Sequence, residues 1–254
     1  MRGVVLAAGR GSRLGELTAR RPKCLVPLAG RPLLDWQRAA LTAGGVTELA
    51  VVAGYRADLV AAQGLPVFPA PRWERTNMVG SLLAAAPWLR SGPCVVSYGD
   101  IVYSAATVRN LLAADGDLAI SYDPDWLRLW RLRFADPLDD AETFRRRPDG
   151  TLSEIGGTPH SVDEVTGQYL GLLRFTPPAW AAVERLLAGL PPRQVDALDL
   201  TSLLQALVDA GERIGTVPCP DAWAEVDDAD DLAVATDLVR RGRLAFAGGQ
   251  EARR

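Results

Sequence analysis

Gly3-Val4-Val5-Leu6-Ala7-Ala8-Gly9-Arg10-Gly11-Ser12-Arg13-Leu14 is an apolar run of strand length that breaks into a glycine-bearing turn flanked by arginines. The run shows no polar alternation, which suits a strand buried on both faces, as in a parallel sheet covered by helices. The same signal recurs along the chain. Residues 32–43 have helical periodicity and stop at Gly44-Gly45, residues 48–53 read as a second strand, and 58–63 as a short helix. Strand signals return at 65–68, 94–98 and 118–122, with helical segments at 81–89 and 105–113 between them. Alternation of this kind predicts an α/β fold: a Rossmann-like, doubly wound, mostly parallel sheet. Ligands then belong at the carboxyl ends of the strands, where loops meet helix N-termini.

The middle of the chain reads differently. Residues 123–158 are rich in charge and tryptophan, and Pro148-Asp149-Gly150 has the chemistry of a hairpin tip. We read about 123–175 as an insertion over the sheet edge, with 168–175 returning as a strand, inside one domain spanning residues 1–240. Helices at 178–187, 200–210 and 229–240 and a last strand at 213–217 complete it. A tail of residues 241–254 follows, and disorder is expected from 248 onward.

Composition bounds the function. A length of 254 residues with 48% apolar content builds one sizeable core, and a net charge of −3 offers no cationic field for nucleic acid or an anionic membrane. Cys24, Cys94 and Cys219 are odd in number and far apart, which argues against a disulfide framework and suits a reducing compartment. The N-terminal apolar run is too short for a signal peptide or a membrane span, so a cytoplasmic protein is expected. Whether it works as a monomer or a homodimer is left open.

The loop Gly9-Arg10-Gly11-Ser12-Arg13-Leu14 is not a P-loop, because no Gly-Lys-Ser/Thr closes it. It is not a dinucleotide fingerprint either, because Leu14 stands where the third glycine belongs. It does offer unobstructed backbone N–H groups beside Arg10 and Arg13, which can cradle a triphosphate. Downstream, Arg20-Arg21-Pro22-Lys23-Cys24-Leu25-Val26-Pro27 holds a lysine between two prolines that stiffen the backbone.

Together, Leu6-Ala7-Ala8-Gly9-x-Gly11-x-Arg13-Leu14 and Pro22-Lys23-x-Leu25-Val26-Pro27-Leu28 resemble the signature of the nucleotidyltransferases that activate sugar phosphates and alcohol phosphates. The resemblance implies the nucleotide-diphospho-sugar transferase fold, with an inserted lid or acceptor region. It implies that Leu6, Ala7, Gly9 and Gly11 frame the nucleotide, that Arg13 contacts the β- or γ-phosphate, and that Lys23 bridges the reacting phosphates. Thr76-Asn77-Met78-Val79-Gly80-Ser81-Leu82 reads locally as a helix start with Asn77 as N-cap. It is also similar to the stretch that lines the base pocket in the choline-phosphate and phosphonate cytidylyltransferase branch, which implies roles for Asn77 and Ser81 and makes CTP the expected nucleotide.

Val95-Val96-Ser97-Tyr98-Gly99-Asp100 is a buried strand running into Gly-Asp. Asp100 there either caps a turn or reaches a Mg²⁺ ion at the α-phosphate, with Gly99 against the nucleotide. Ala224-Glu225-Val226-Asp227-Asp228 places Glu225 and Asp227 on one face of an extended segment and resembles the family's second metal motif. Hard oxygen ligands suit Mg²⁺, and the solitary His160 excludes a histidine-rich zinc site. Trp126 and Trp130, four apart on a helix, serve either as core or as an aromatic surface for an ammonium group. The resemblance extends to Arg133, to the Asp139-Asp140-Ala141-Glu142 run and to Gly167-Gln168-Tyr169. It implies an acceptor site of Trp126, Trp130, Gln168 and Tyr169.

The expected activity is transfer of CMP from CTP to a small phosphorylated or phosphonylated alcohol or amine with release of pyrophosphate. Phosphocholine, 2-aminoethylphosphonate and 2-hydroxyethylphosphonate are the acceptor types. A sugar-1-phosphate nucleotidyltransferase, a molybdopterin-type guanylyltransferase and a non-catalytic nucleotide-binding regulator are the rival readings.

Overall fold

In a computed structural model that describes residues 1–247, the N-terminal apolar run forms strand β1 (Arg2–Ala7). Six more strands join it: β2 (Glu48–Ala53), β3 (Val67–Pro69), β4 (Cys94–Tyr98), β5 (Leu118–Asp123), β6 (Gln168–Phe175) and β7 (Ile214–Pro218). Their order across the sheet is β7-β5-β6-β4-β1-β2-β3. Pairings β1–β2, β1–β4, β2–β3 and β5–β7 are parallel, and only β6 runs antiparallel to its two neighbours. Side chains alternate between faces of a strand. Val4 and Leu6 therefore enter the apolar layer on one side of the sheet, while Val5 and Ala7 enter the layer on the other.

Helices cover both layers. Leu34 and Leu41 of α1 (Leu33–Gly44) and Val108 and Leu111 of α3 (Ala105–Ala113) pack with Val5. Val79 and Leu82 of α2 (Met78–Ala84) pack with Leu6 on the opposite face. Trp180 and Val183 of α5 (Pro177–Ala188) and Leu203 and Leu204 of α6 (Leu200–Asp209) complete that side. Helix α4 (Trp126–Arg133) lies in the first layer, and α7 (Ala229–Arg240) closes a third apolar cluster around Leu28, Leu33 and Trp36.

One expectation needs correction and another gains detail. The strand expected to return at 168–175 does so as β6, inserted between β4 and β5 in the interior of the sheet. Its antiparallel direction puts Gln168 and Tyr169 at the edge where the parallel strands end. The helical stretch expected at 81–89 is two helices, α2 and Ala86–Ser91, because Pro87 lacks the N–H that a continuing helix needs. The Pro148-Asp149-Gly150 tip does turn a hairpin of Phe144–Arg146 and Leu152–Ile155, which docks on α6 where Ile155 N–H donates to Gln205 (2.8 Å).

Residues 241–247 fold back on the body. Leu244 is buried, and the Phe246 ring meets Trp36 edge-on with centroids 5.1 Å apart. The expectation for residues 248–254 lies outside the described residues. No helix among the described residues is long and apolar enough to cross a membrane.

Candidate active site

The carboxyl ends of β1 and β4 lie side by side, and two close approaches fix the loops that leave them. Gly99 packs so near β1 that a Cβ would fall 2.7 Å from the Leu6 carbonyl oxygen. Gly11 has φ +74°, and a Cβ there would fall 2.7 Å from Lys23 Cβ. The backbone of the Gly9–Leu14 loop therefore closes directly over the lysine. The chain next turns through Ser12–Thr18, anchored by Thr18 Oγ1 donating to the Gly11 carbonyl (2.8 Å).

Asp100 sits in the turn between β4 and the short strand Ile101–Val102. That strand pairs antiparallel with Ala224–Glu225, and Val226 N–H donates to the Asp100 carbonyl at 3.0 Å. This two-stranded clasp brings Glu225 and Asp227 against Asp100 from a distant part of the chain. Each of the three offers a carboxylate oxygen within 4.8 Å of the others. Lys23 Nζ donates to Asp100 Oδ2 (2.8 Å) and Asp227 Oδ1 (2.5 Å), and Arg13 pairs with the same Asp227 oxygen at 2.9 Å.

Electrostatics follow from this packing. Burial pulls the Lys23 ammonium down, but Asp100 and Asp227 outweigh it and hold the group above its ordinary range, so it stays charged. Burial pushes Asp227 up, and Lys23, Arg13 and Arg133 bring its carboxyl below the ordinary value. Glu225 is pushed up to about 8, by burial first and then by Asp227 and Asp100. The donor set fits a hard divalent cation: three convergent carboxylates, with Asp100 Oδ1 buried and without a hydrogen-bond partner while Oδ2 holds Lys23. Asp100, Glu225 and Asp227 are the residues that would hold Mg²⁺.

A cleft of about 330 Å³ opens from this cluster. Arg13, Asp100, Glu225 and Asp227 form one end, and Trp130, Gln168, Tyr169 and Glu142 are among its other walls. The rings of Tyr98 and Tyr169 meet edge-on at 5.7 Å, and burial pushes both phenols well above their ordinary range, so they remain neutral. Gln168 does not simply face the cleft. Its Nε2 donates to the Glu142 carbonyl (2.6 Å), tying the start of β6 to the acidic run. Asp199 and Thr201, at the N-terminus of α6, complete the far wall, and Thr201 Oγ1 donates to Glu142 (3.3 Å).

Some sequence-identified residues lie elsewhere. Trp126 is 4% exposed, donates its indole N–H to the Val165 carbonyl (3.1 Å) and belongs to the core, so the core alternative holds for it. Asn77 is the N-cap of α2: its Oδ1 accepts from Met78 N (2.8 Å) and its amide donates to the Ala197 carbonyl (3.2 Å). Ser81 is buried inside α2, while Met78 of the same helix borders the cleft. Leu6 and Ala7 are buried in β1, and Gly9 is exposed in the loop after it. A larger hollow of about 720 Å³, bordered by Asp123, Arg128, Asp221 and Trp223, includes none of the sequence-identified site residues.

Sequence reading missed Gln37, Asp231, Asp199 and Thr201. Gln37 is fully buried in α1 and donates to the carbonyls of Tyr98 (3.1 Å) and Ile101 (2.8 Å), bracing the turn that carries Asp100. Gln37→Leu strips the Ile101 carbonyl of its side-chain donor, while the Tyr98 carbonyl keeps the Ser97 hydroxyl at 2.9 Å. A loss of roughly 1–3 kcal/mol is expected in urea unfolding, with reduced turnover. Asp231 had a local signal: with Asp228 it makes an Asp-x-x-Asp helix start. Asp228 caps α7, and Asp231 reaches back to the Asp227 N–H at 2.9 Å.

A glycine-rich turn over a lysine, facing an acidic triad at the strand ends of a doubly wound sheet, is the architecture of a nucleotidyltransferase. A family model described as the MobA-like NTP transferase domain matches residues 3–188, and the chain belongs to that family. The chain is 33% identical over 250 residues to the CTP:phosphoglutamine cytidylyltransferase of Campylobacter jejuni, covering 92% of this chain and 98% of the relative. It is 36% identical over 129 residues to the CMP-5'-(3-aminopropyl)phosphonate synthase of Streptomyces rubellomurinus, covering 48% of this chain and 20% of that protein. Among solved structures, the inositol-1-phosphate CTP transferase of T. maritima superposes with a TM-score of 0.74 at 18% identity, over 96% of this chain and 98% of the other. That likeness speaks for the fold.

Proposed function

We propose that the protein is a Mg²⁺-dependent cytidylyltransferase that transfers CMP from CTP to a small phosphorylated or phosphonylated acceptor and releases pyrophosphate. The observation that carries this reading is the convergence of Lys23, Arg13 and the three carboxylates Asp100, Glu225 and Asp227 at the strand ends. The choice of CTP and of the acceptor class is supported by the activities for which the Campylobacter and Streptomyces relatives are named.

The attacking group is an oxygen of the acceptor's phosphate or phosphonate, which displaces pyrophosphate in line from the α-phosphorus of CTP. A phosphate monoester has its second pKa at about 6, so this oxygen is already an anion near neutral pH and no general base is required. The chain's contribution is placement and charge. Backbone N–H groups of the Gly9–Gly11 loop hold the triphosphate. Arg13 and Lys23 neutralise charge on it as pyrophosphate departs. A bound Mg²⁺ adds charge neutralisation at the phosphates. The acceptor enters the cleft between Trp130, Gln168 and Tyr169, with its anionic end towards Lys23 and its other end towards Glu142.

The test is pyrophosphate release with Mg²⁺ across four NTPs and five acceptors: phosphocholine, 2-aminoethylphosphonate, 2-hydroxyethylphosphonate, phosphoglutamine and glucose 1-phosphate. Turnover is expected with CTP and one or more of the first four. Turnover confined to glucose 1-phosphate, or to another NTP, would replace this reading with a sugar-phosphate or purine nucleotidyltransferase. CTP binding without pyrophosphate release across the grid would favour a regulator.

A further inference from the structure

Arg133 ends α4, the helix that carries Trp130, and its side chain is 1% exposed. Its guanidinium lies over the rings of Trp130 and Phe134, at 5.0 and 4.9 Å from their centroids. An isolated cation is costly at such a depth, so its partners define its purpose. The fork reaches both oxygens of Asp231, with Nε to Oδ1 at 2.7 Å and a terminal nitrogen to Oδ2 at 3.0 Å. The other terminal nitrogen donates to Glu225 Oε2 at 3.0 Å. Asp227 Oδ2 stands 3.7 Å away, and Asp231 itself accepts the Asp227 backbone N–H.

One guanidinium thus holds the Glu225 carboxylate directly and the Asp227 backbone through Asp231. We propose that Arg133 is a positioning residue that sets Glu225 and Asp227 as cation ligands, linking the helix of the acceptor cleft to the metal cluster. The inference rests on the reading of Asp100, Glu225 and Asp227 as a divalent-cation site. It explains why the charge is an arginine: three directions are served at once, which a lysine's compact ammonium cannot reproduce.

The experiment is Mn²⁺ binding to the full-length protein without nucleotide, followed by the free-ion electron paramagnetic resonance signal. Wild type, Arg133→Lys and Asp231→Asn are compared, with circular dichroism reporting the fold. Loss of supporting contacts around a metal site typically costs 10–100-fold in affinity. Both variants are expected to weaken Mn²⁺ binding by about that factor, and to raise the Mg²⁺ concentration needed for half-maximal turnover more than they lower turnover at saturating Mg²⁺. A folded Arg133→Lys or Asp231→Asn protein with wild-type Mn²⁺ affinity overturns the proposal, even if its melting temperature falls, because that is the signature of packing alone. If wild type binds no Mn²⁺, the cation-site reading fails first and the proposal falls with it. If Arg133→Lys does not fold, Asp231→Asn decides.

Discussion

Lys23→Ala is expected to lower turnover by about 10²–10³, the range lost when one preorganised group facing transition-state charge is removed. The same substitution leaves Asp100 and Asp227 without the ammonium that bridges them at 2.8 and 2.5 Å. Breaking a buried pair from one side costs about 3–5 kcal/mol. The low end applies here, because the two carboxylate side chains retain 22% and 12% exposure. Without the competing ammonium, Mg²⁺ should bind the nucleotide-free variant more tightly than it binds wild type. Calorimetric titration with Mg²⁺ and steady-state turnover with CTP therefore move in opposite directions. Turnover near wild type would remove Lys23 from the reacting phosphates. A parallel loss of Mg²⁺ affinity would make it a mere structural strut.

Asp100→Asn keeps the volume and removes the charge at the one triad member with a buried oxygen free of any hydrogen-bond partner. Supporting residues around metal sites are worth about 10–100-fold in affinity, and a direct ligand is expected to cost at least about 100-fold. The variant should need far more Mg²⁺ for any residual pyrophosphate release. Its fold should hold, because Asp227 still pairs with Lys23 and Val226 N–H still meets the backbone carbonyl at position 100. An unchanged Mg²⁺ titration would remove Asp100 from the cation site.

Much of this architecture is legible in the sequence, and the reason is period. Strands buried on both faces are continuous apolar runs, so 48–53, 94–98 and 168–175 are readable to the residue, as is the helix at 105–113. Direction is not legible in the same way. An apolar run looks alike from either end, so nothing in 168–175 announces that it enters the sheet antiparallel and between β4 and β5. The Gly-Asp and Glu-Val-Asp segments were recognisable as motifs, and the structure brings their carboxylates to one point.

Residues whose work is done across long loops left weaker traces. Arg133 is one of three arginines in α4; the family resemblance includes it, but its local spacing does not announce a partner 98 positions away. Gln37 is a single amide on an otherwise apolar helix face, and the two carbonyls it braces lie more than 60 residues downstream. Trp126 and Trp130 carry the same local signal, yet only the second borders the cleft. The decision is made by the Val165 carbonyl that accepts the Trp126 indole N–H, not by their spacing.

The contact between Lys23 and Asp227 spans 204 residues, and that distance has a consequence during synthesis. At ribosomal rates of about 5–20 residues per second, roughly 10–40 s separate the emergence of the lysine from that of its carboxylate partner. After residue 100 emerges the growing polypeptide carries the glycine loop, Lys23 and its Asp100 partner, but still lacks the Glu225–Asp227 segment that completes the carboxylate cluster. A chain interrupted between residues 100 and 224 lacks the same segment. On the proposed reading, chemical competence would therefore be timed by the last segment to appear.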